Sequence, residues 1–255
     1  MSQAKDRGVL VTGGAGGIGR AITLGLLAAG YRVGVLDISA AALAELRDAA
    51  AERLPAAVSK LHTYATDITD YGAVEAAVGS FADAAGEIWG LVNNAGWDAA
   101  CPFVDTDPSQ WRKVVDINLY GPLNVTHLVV QRLVAAGRGR VVSIASDAGR
   151  VGSSGEAVYS AAKGGIIAFM KTLAREHARQ GITFNSICPG PTDTPLLAGF
   201  DASGRLQEAL QRAIPMRRLA QPDDFPALVA YFLSDQAGYV TGQVISVSGG
   251  LSMHG

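Results

Sequence analysis

Short apolar runs alternating with longer segments of helical period constrain this chain more than any other feature. GVLVTG leads into a helix-period stretch over 18–29, YRVGVLD into 40–53, KLHTYATD into 71–85, IWGLVNNAG into 108–136, and GRVVSIAS into 156–179; GITFNSICPG precedes helical pieces near 204–213 and 222–233, and QVISVSGG comes last. Strands separated by helices cannot close as hairpins, so the pattern predicts an α/β fold with one seven-stranded parallel sheet and helices on both faces. Right-handed crossovers then impose a doubly wound topology. No Pro/Ser-rich linker or solenoid repeat divides the chain, and 255 residues can bury a sizeable core, so a single domain over 1–255 is expected. Patterning is weakest at 192–220, where Pro195, Gly199, Gly204 and Pro215 fall. A mobile substrate flap and an ordinary surface excursion both fit that segment.

Composition removes several function classes. With 21 basic and 23 acidic residues, a net charge of −2 and no basic stripe interleaved with aromatics, the chain offers nucleic acid no electrostatic footprint. The start, MSQAKDRG, lacks the apolar core of a secretory signal, and no run of 18 apolar residues follows, so a cytoplasmic protein without membrane contact is expected. Cys101 and Cys188 have neither the number nor the spacing of a disulfide framework and read as reduced and mostly structural. His62, His127, His177 and His254 stand apart from other ligands, which predicts no metal.

The first strand ends in Thr12-Gly13-Gly14-Ala15-Gly16-Gly17-Ile18-Gly19, and a helical pattern begins at once. A glycine-rich strand-to-helix turn lets backbone approach a pyrophosphate, and the helix N-terminus presents unpaired N–H groups to it. Gly13, Gly16, Gly17, Ile18 and Gly19 are therefore candidate dinucleotide contacts in a Rossmann fold, although a glycine run alone also makes a tight turn. Asp37 closes the second strand, 18 residues past Gly19, where a carboxylate accepts from the adenosine ribose hydroxyls and repels a 2′-phosphate. NAD is expected over NADP; the competing role for Asp37 is a helix N-cap, which Ser39 provides equally well. Asp67 and Ile68 are assigned to the adenine edge, and Asn93, Asn94, Ala95 and Gly96 to the strip behind the nucleotide. Asp67 can also cap the helix starting near Tyr71.

Ser146, Tyr159 and Lys163 follow the fifth strand. Tyr159 and Lys163 share one helical face, so the ammonium can stabilise an ionised phenol, which a tyrosine with a pKa near ~10 needs in order to act as a base at neutral pH. The spacing alone is common among surface residues. Together with TGGAGGIG, the Asp67-Ile68 pair, NNAG, the asparagine of INLYG, YSAAK and PGPTDT, it resembles the short-chain dehydrogenase/reductase family over essentially the whole length. The resemblance implies a tetrad: Tyr159 as acid/base, Lys163 lowering its pKa and binding the nicotinamide ribose, Ser146 bonding the substrate oxygen, and Asn118 holding a water that links Lys163 to solvent. Helix-cap or helix-bending roles are the competing readings of Ser146 and Asn118. It further implies that Pro189, Gly190, Thr192 and Thr194 meet the nicotinamide carboxamide, and that the chain forms a homotetramer. The apolar positions Leu123, Val130, Leu133, Ile167, Met170 and Leu173 suit subunit packing, with intramolecular core as the competing explanation.

Substrate contacts are expected from loops beyond the strand ends: Trp97, Asp98 and Arg150 beside Ser146 and Tyr159, with Phe103, Leu196, Leu197 and Phe200 as an apolar wall. NNAGWD, SDAGRVGSSGEAVYSAAKGG and CPGPTDTPLL look like the alicyclic β-hydroxyacyl-CoA dehydrogenases, which take thioesters such as 2-hydroxycyclohexanecarboxyl-CoA. Arg150 and the pair Arg217-Arg218 could then meet CoA phosphates or remain solvated. Asp37 makes alcohol oxidation the favoured direction, with Tyr159 mainly a base. A 3-oxoacyl thioester reductase, a polyol or steroid dehydrogenase, and a non-catalytic NAD sensor are the alternatives.

Overall fold

The computed structural model describes residues 6–200 and 204–253; part of the 192–220 segment and His254 lie outside the described residues. In chain order it contains β1 (Gly8–Thr12), α1 (Gly17–Ala28), β2 (Arg32–Asp37), α2 (Ala40–Arg53), β3 (Leu61–Ala65), α3 (Tyr71–Ala85), β4 (Ile88–Asn93), α4 (Pro108–Val115), α5 (Gly121–Ala136), β5 (Gly139–Ile144), α6 (Ala148–Val151), α7 (Ala157–Glu176), β6 (Ile182–Pro189), α8 (Pro195–Ala198), α9 (Arg205–Ala213), α10 (Pro226–Leu233) and β7 (Val244–Val247). All seven expected strands form one parallel sheet in the order β3-β2-β1-β4-β5-β6-β7. The order reverses between β1 and β4, which opens a crevice at their carboxyl ends.

The five central strands, β1, β2, β4, β5 and β6, are buried on both faces, and strand alternation assigns each side chain to one of them. Val9, Val11, Val33 and Val35 pack against Ile22 and Leu26 of α1, Leu46 of α2 and Phe232 of α10. Leu10, Leu36, Leu91 and Val141 face the other way, onto Phe81 of α3, Val129 of α5 and Met170 of α7. Each such side chain removed from water contributes about 1.5–3 kcal/mol. Gly34 of β2 is needed because a Cβ there would stand 2.6 Å from the Phe81 ring.

Helix starts follow local chemistry. Ser39 caps α2 by accepting the Ala42 N–H at 3.1 Å, which leaves Asp37 free of that duty. Asp70, not Asp67, caps α3 through the Ala73 N–H at 3.0 Å. Asp107 caps α4 with Pro108 in its first turn, where a missing N–H costs nothing.

Two expectations are corrected. The 108–136 helix is interrupted by a π-helical turn at Asp116–Tyr120. Of the residues assigned to subunit packing, Val130, Leu133 and Met170 lie in the core against the sheet, and Ile167 packs on Ala145 and Cys188, because the same helix face that reads as sticky is the one the sheet covers. The described parts of the 192–220 segment carry α8 and α9 beyond β6. Among the described residues no helix is long and apolar enough to cross a membrane, and no His/Cys/Asp/Glu group is arranged to hold a metal.

Candidate active site

A cleft of about 1330 Å³ opens over the carboxyl ends of β1, β2, β4, β5 and β6. At its β1 side Gly13 (φ +59°) and Gly17 (φ +50°) adopt the left-handed conformation that L side chains avoid. Gly16 is the N-cap of α1, bears no side-chain cap bond, and a Cβ added to it would meet nothing within 4 Å. The first N–H groups of α1 are thus left for a ligand, in a bare cradle that fits a pyrophosphate. Gly16, Gly17 and Ile18 line the cleft, whereas Gly19 does not. A Cβ on Gly19 would fall 2.0 Å from the Gly13 carbonyl oxygen and 2.5 Å from Asn94 Nδ2, so this glycine serves the packing of α1 on the turn.

The second strand and its neighbours complete the nucleotide side. Asp37 lines the cleft and accepts the Ala15 N–H at 3.1 Å and the Ser39 N–H at 3.0 Å. A carboxylate has about four acceptor positions, so some remain for hydroxyls. Asp67 and Ile68 also line the cleft, and Asp67 Oδ1 accepts both the N–H and the hydroxyl of Thr69. Asn94 holds the turn: its Nδ2 donates to the Thr12 and Gly13 carbonyls at 3.1 and 2.9 Å, while Thr12 Oγ1 accepts the Asn94 and Ala95 N–H groups. Asn93 is corrected to a structural residue: it is buried and donates to Thr126 Oγ1 at 2.8 Å. Consecutive strand residues face opposite ways, a signal already present in the sequence.

At the centre, β5 delivers Ser146 and α7 delivers Tyr159 and Lys163, all lining the cleft. Ser146 Oγ accepts the Ala148 N–H at 3.1 Å and lies near enough to the Tyr159 phenol to oppose the rise in its pKa. Lys163 Nζ stands 5.5 Å from the Tyr159 ring centre and donates to the Ile144 carbonyl at 3.1 Å. Asn118 lies behind them, fully buried in the π turn. Its Nδ2 donates to Trp97 O at 2.6 Å and to Val114 O at 2.9 Å, which ties the loop after β4 to the end of α4. Gly96 is required between them, since a Cβ there would be 2.9 Å from Asn118 Oδ1 and 3.3 Å from Lys163 Nζ.

Burial dominates the electrostatics of both Tyr159 and Lys163. Burial pushes the Tyr159 phenol up, the Glu156 and Asp98 carboxylates push it further, and the Ser146 hydrogen bond opposes them. Burial lowers the Lys163 ammonium to about 8, with Cys188 and Asp98 opposing. Burial is the largest influence on both groups, and it disfavours the charged form of each.

Pro189, Gly190, Thr192 and Thr194 line the far wall. Thr192 Oγ1 donates to Gly190 O at 2.9 Å, and Thr194 caps α8. Trp97 is in the wall too, with Lys113 Nζ 3.8 Å from its ring centre. Leu196, Leu197 and Phe200 form the apolar side as expected, joined by Val151, Leu206 and Leu210, which the sequence reading missed; the i, i+4 spacing of Leu206 and Leu210 was the available signal.

Asp98, Arg150 and Phe103, expected among the substrate contacts, do not line the cleft, and the Arg217-Arg218 pair stays at the surface. Asp98 is buried and turned away from the cleft into a small adjoining cavity. Arg150 donates to Val244 O at 3.3 Å and Ser246 Oγ at 2.8 Å, tied to β7 rather than to the cleft. Arg218 forms a bidentate pair with Asp224, and Arg217 donates to the Arg212 carbonyl. Phe103 stacks on Trp111 with ring centres 5.2 Å apart.

A glycine-lined nucleotide cradle joined to a Ser-Tyr-Lys cluster defines a nicotinamide-linked oxidoreductase site. A family model described as enoyl-(acyl carrier protein) reductase matches residues 13–252, and the chain belongs to the short-chain dehydrogenase/reductase family. It is 40% identical over 245 residues to an acetoacetyl-CoA reductase of Shinella zoogloeoides, covering 96% of this chain and 98% of the relative. Levodione reductase superposes with a TM-score of 0.93 at 33% identity, covering 97% and 98% of the two chains. An actinorhodin polyketide ketoreductase variant crystallised with NADPH superposes with a TM-score of 0.91 at 31% identity, covering 99% and 100%.

Proposed function

We propose that this protein interconverts a 3-oxoacyl and a 3-hydroxyacyl thioester with NAD(H), and that reduction is its favoured direction. The observation that carries the reading is the grouping of Ser146, Tyr159 and Lys163 in one cleft with the apolar wall of Leu196, Leu197, Phe200 and Leu210. The name of the Shinella relative supports the thioester class and moves the weight from the alicyclic hydroxyacyl-CoA reading to its reductase alternative.

Residues 13–18, Asp37, Asp67, Ile68, Asn94, Ala95, Gly96, Thr192 and Thr194 would hold the cofactor, which when bound supplies or accepts the hydride at one face of the reacting carbon. Ser146 Oγ hydrogen-bonds the substrate carbonyl oxygen and places it beside the phenol. Tyr159 then delivers its proton to that oxygen as negative charge develops there. Lys163, next to the phenol and anchored on Ile144 O, supports the charge left on Tyr159, and Asn118 fixes the Trp97 segment against which the ammonium sits. Asp37 favours NAD(H): the adjacent Leu36 and Ile38 offer no cation to a 2′-phosphate.

The described parts of 192–220 cover the acyl end of the cleft as a flap in this reading, through Leu196, Leu197, Phe200, Leu206 and Leu210, and the homotetramer is kept on the family resemblance alone, with light scattering as its check. A cyclic acyl group is the second reading, favoured by the breadth of the wall formed by Leu196, Leu197, Phe200 and Leu210. Initial rates with acetoacetyl-CoA and 2-oxocyclohexanecarboxyl-CoA, each with NADH and NADPH, test all of these. Inactivity on both thioesters removes the thioester proposal, and a preference for NADPH removes the assignment of Asp37.

A further inference from the structure

Asp98 and Glu156 meet behind the catalytic tyrosine, and neither belongs to the tetrad. The loop after β4 carries Asp98 and the loop before α7 carries Glu156, and the two are held together by the Cys101 N–H, which donates to Gly155 O at 2.8 Å. Asp98 is 6% exposed, and its Oδ2 is buried without a hydrogen-bond donor. The group within hydrogen-bonding reach is the Glu156 carboxyl. Two ionised carboxylates cannot satisfy each other, since both only accept; a single proton between them turns the repulsion into a hydrogen bond. Glu156 lines the main cleft as well as the small cavity that it shares with Asp98 and Tyr159.

We propose that Asp98 and Glu156 form a proton-sharing carboxyl pair that acts as a positioning element for Tyr159, keeping the phenol protonated as the pH rises. The proposal rests on the assignment of Tyr159 as the proton donor. Burial and the Glu156 carboxylate push Asp98 up to about 7, against the Ala99 N–H and Lys163, which pull it down. Cys101 and Tyr159 are the other titratable groups lining the small cavity, and no lysine or arginine does so among the described residues. From β6, Cys188 faces both Tyr159 and Lys163, and its own thiol is pushed up to about 11 by burial, so it is neutral across the range that matters. Loss of the shared proton puts a second negative charge beside the phenol at a lower pH than that at which the buried Tyr159 itself ionises. The pair thereby opposes that ionisation.

Asp98→Asn imitates the protonated pair and gives the sharper test. Wild type and variant should agree within about twofold in reduction kcat/KM at pH 6, then diverge above pH 7, with the variant's alkaline limb displaced downward by half a unit or more, about threefold in rate on that limb. Glu156→Gln should displace the same limb, and Glu156→Asp should restore most of it. A purely structural role would lower activity equally at every pH, and that outcome overturns the proposal. Independently of turnover, the infrared band of a protonated carboxyl should vanish in the wild type as the pH is raised through about 7 and be absent from Asp98→Asn; no such band also overturns it. Full activity of Tyr159→Phe would refute the assignment of Tyr159 as donor while leaving the infrared result to decide the pair.

Discussion

Asp37 Oδ2 accepts the Ala15 backbone N–H at 3.1 Å, so the tip of β2 and the glycine-rich turn after β1 are joined by the same carboxylate that faces the cleft. Selectivity for the nucleotide and the shape of its cradle are therefore coupled in one side chain.

Asp37→Ala should weaken NADH binding tenfold to about a hundredfold, the range for a lost charge-assisted hydrogen bond, and should narrow discrimination against NADPH. Dissociation constants for both nucleotides, measured by fluorescence titration, check this. An unchanged NADH-to-NADPH ratio would reject the ribose assignment.

Gly16 and Gly19 stand in one motif and should respond oppositely. Gly19→Ala forces a Cβ to 2.0 Å from a backbone oxygen and should cost several kcal/mol or prevent folding. Gly16→Ala points into open space and should stay within about 1 kcal/mol of wild-type stability while losing at least tenfold in nucleotide affinity. Denaturant unfolding alongside nucleotide titration separates the two effects.

Tyr159→Phe should lower kcat by a factor of about 10²–10⁴, the range for a positioned proton donor, with nucleotide affinity kept within about threefold. Stopped-flow reduction assays and nucleotide binding on the same preparation provide the comparison. Retained turnover would remove Tyr159 from the chemistry.

Lys163 is buried with its ammonium lowered to about 8 from an ordinary 10.5, so at neutral pH the folded state carries a penalty on the order of 3 kcal/mol. The unfolded chain binds this proton more tightly, and stability therefore rises as pH increases from about 8 to 10.5. Lys163→Met, which has no such proton, should be inactive yet more stable than wild type at pH 7, and its advantage should shrink across that window. Urea unfolding of both proteins at pH 7 and pH 10 tests the sign, and a constant difference contradicts it.

Arg150→Ala should leave the KM for any thioester within about twofold, because Arg150 is bonded to Val244 and Ser246 and not to the cleft. The cost should be about 1–2 kcal/mol of stability from the broken hydrogen bonds. A KM raised tenfold would restore Arg150 as a phosphate contact.

The chain's alternation of apolar runs and helical periods determined the sheet, its parallel sense and the edge at which ligands gather, because strands buried on both faces and right-handed crossovers leave little choice. Gly16, Gly17, Asp37, Ser146, Tyr159 and Lys163 were legible for the same reason: each sits at a strand end or one helical turn away, where direction follows from backbone geometry. The loop side chains were not. Arg150 is aimed by Ser246, 96 residues away, Asp98 by Glu156 on another loop, and Phe103 by Trp111. Local sequence cannot say which of several polar partners a loop residue will meet, since that depends on which segments the sheet brings side by side. Electrostatics followed the same division: the Tyr159-Lys163 spacing told which groups are neighbours, while only the packed structure brought burial and the Glu156 and Asp98 carboxylates to bear on the phenol, all pushing it up.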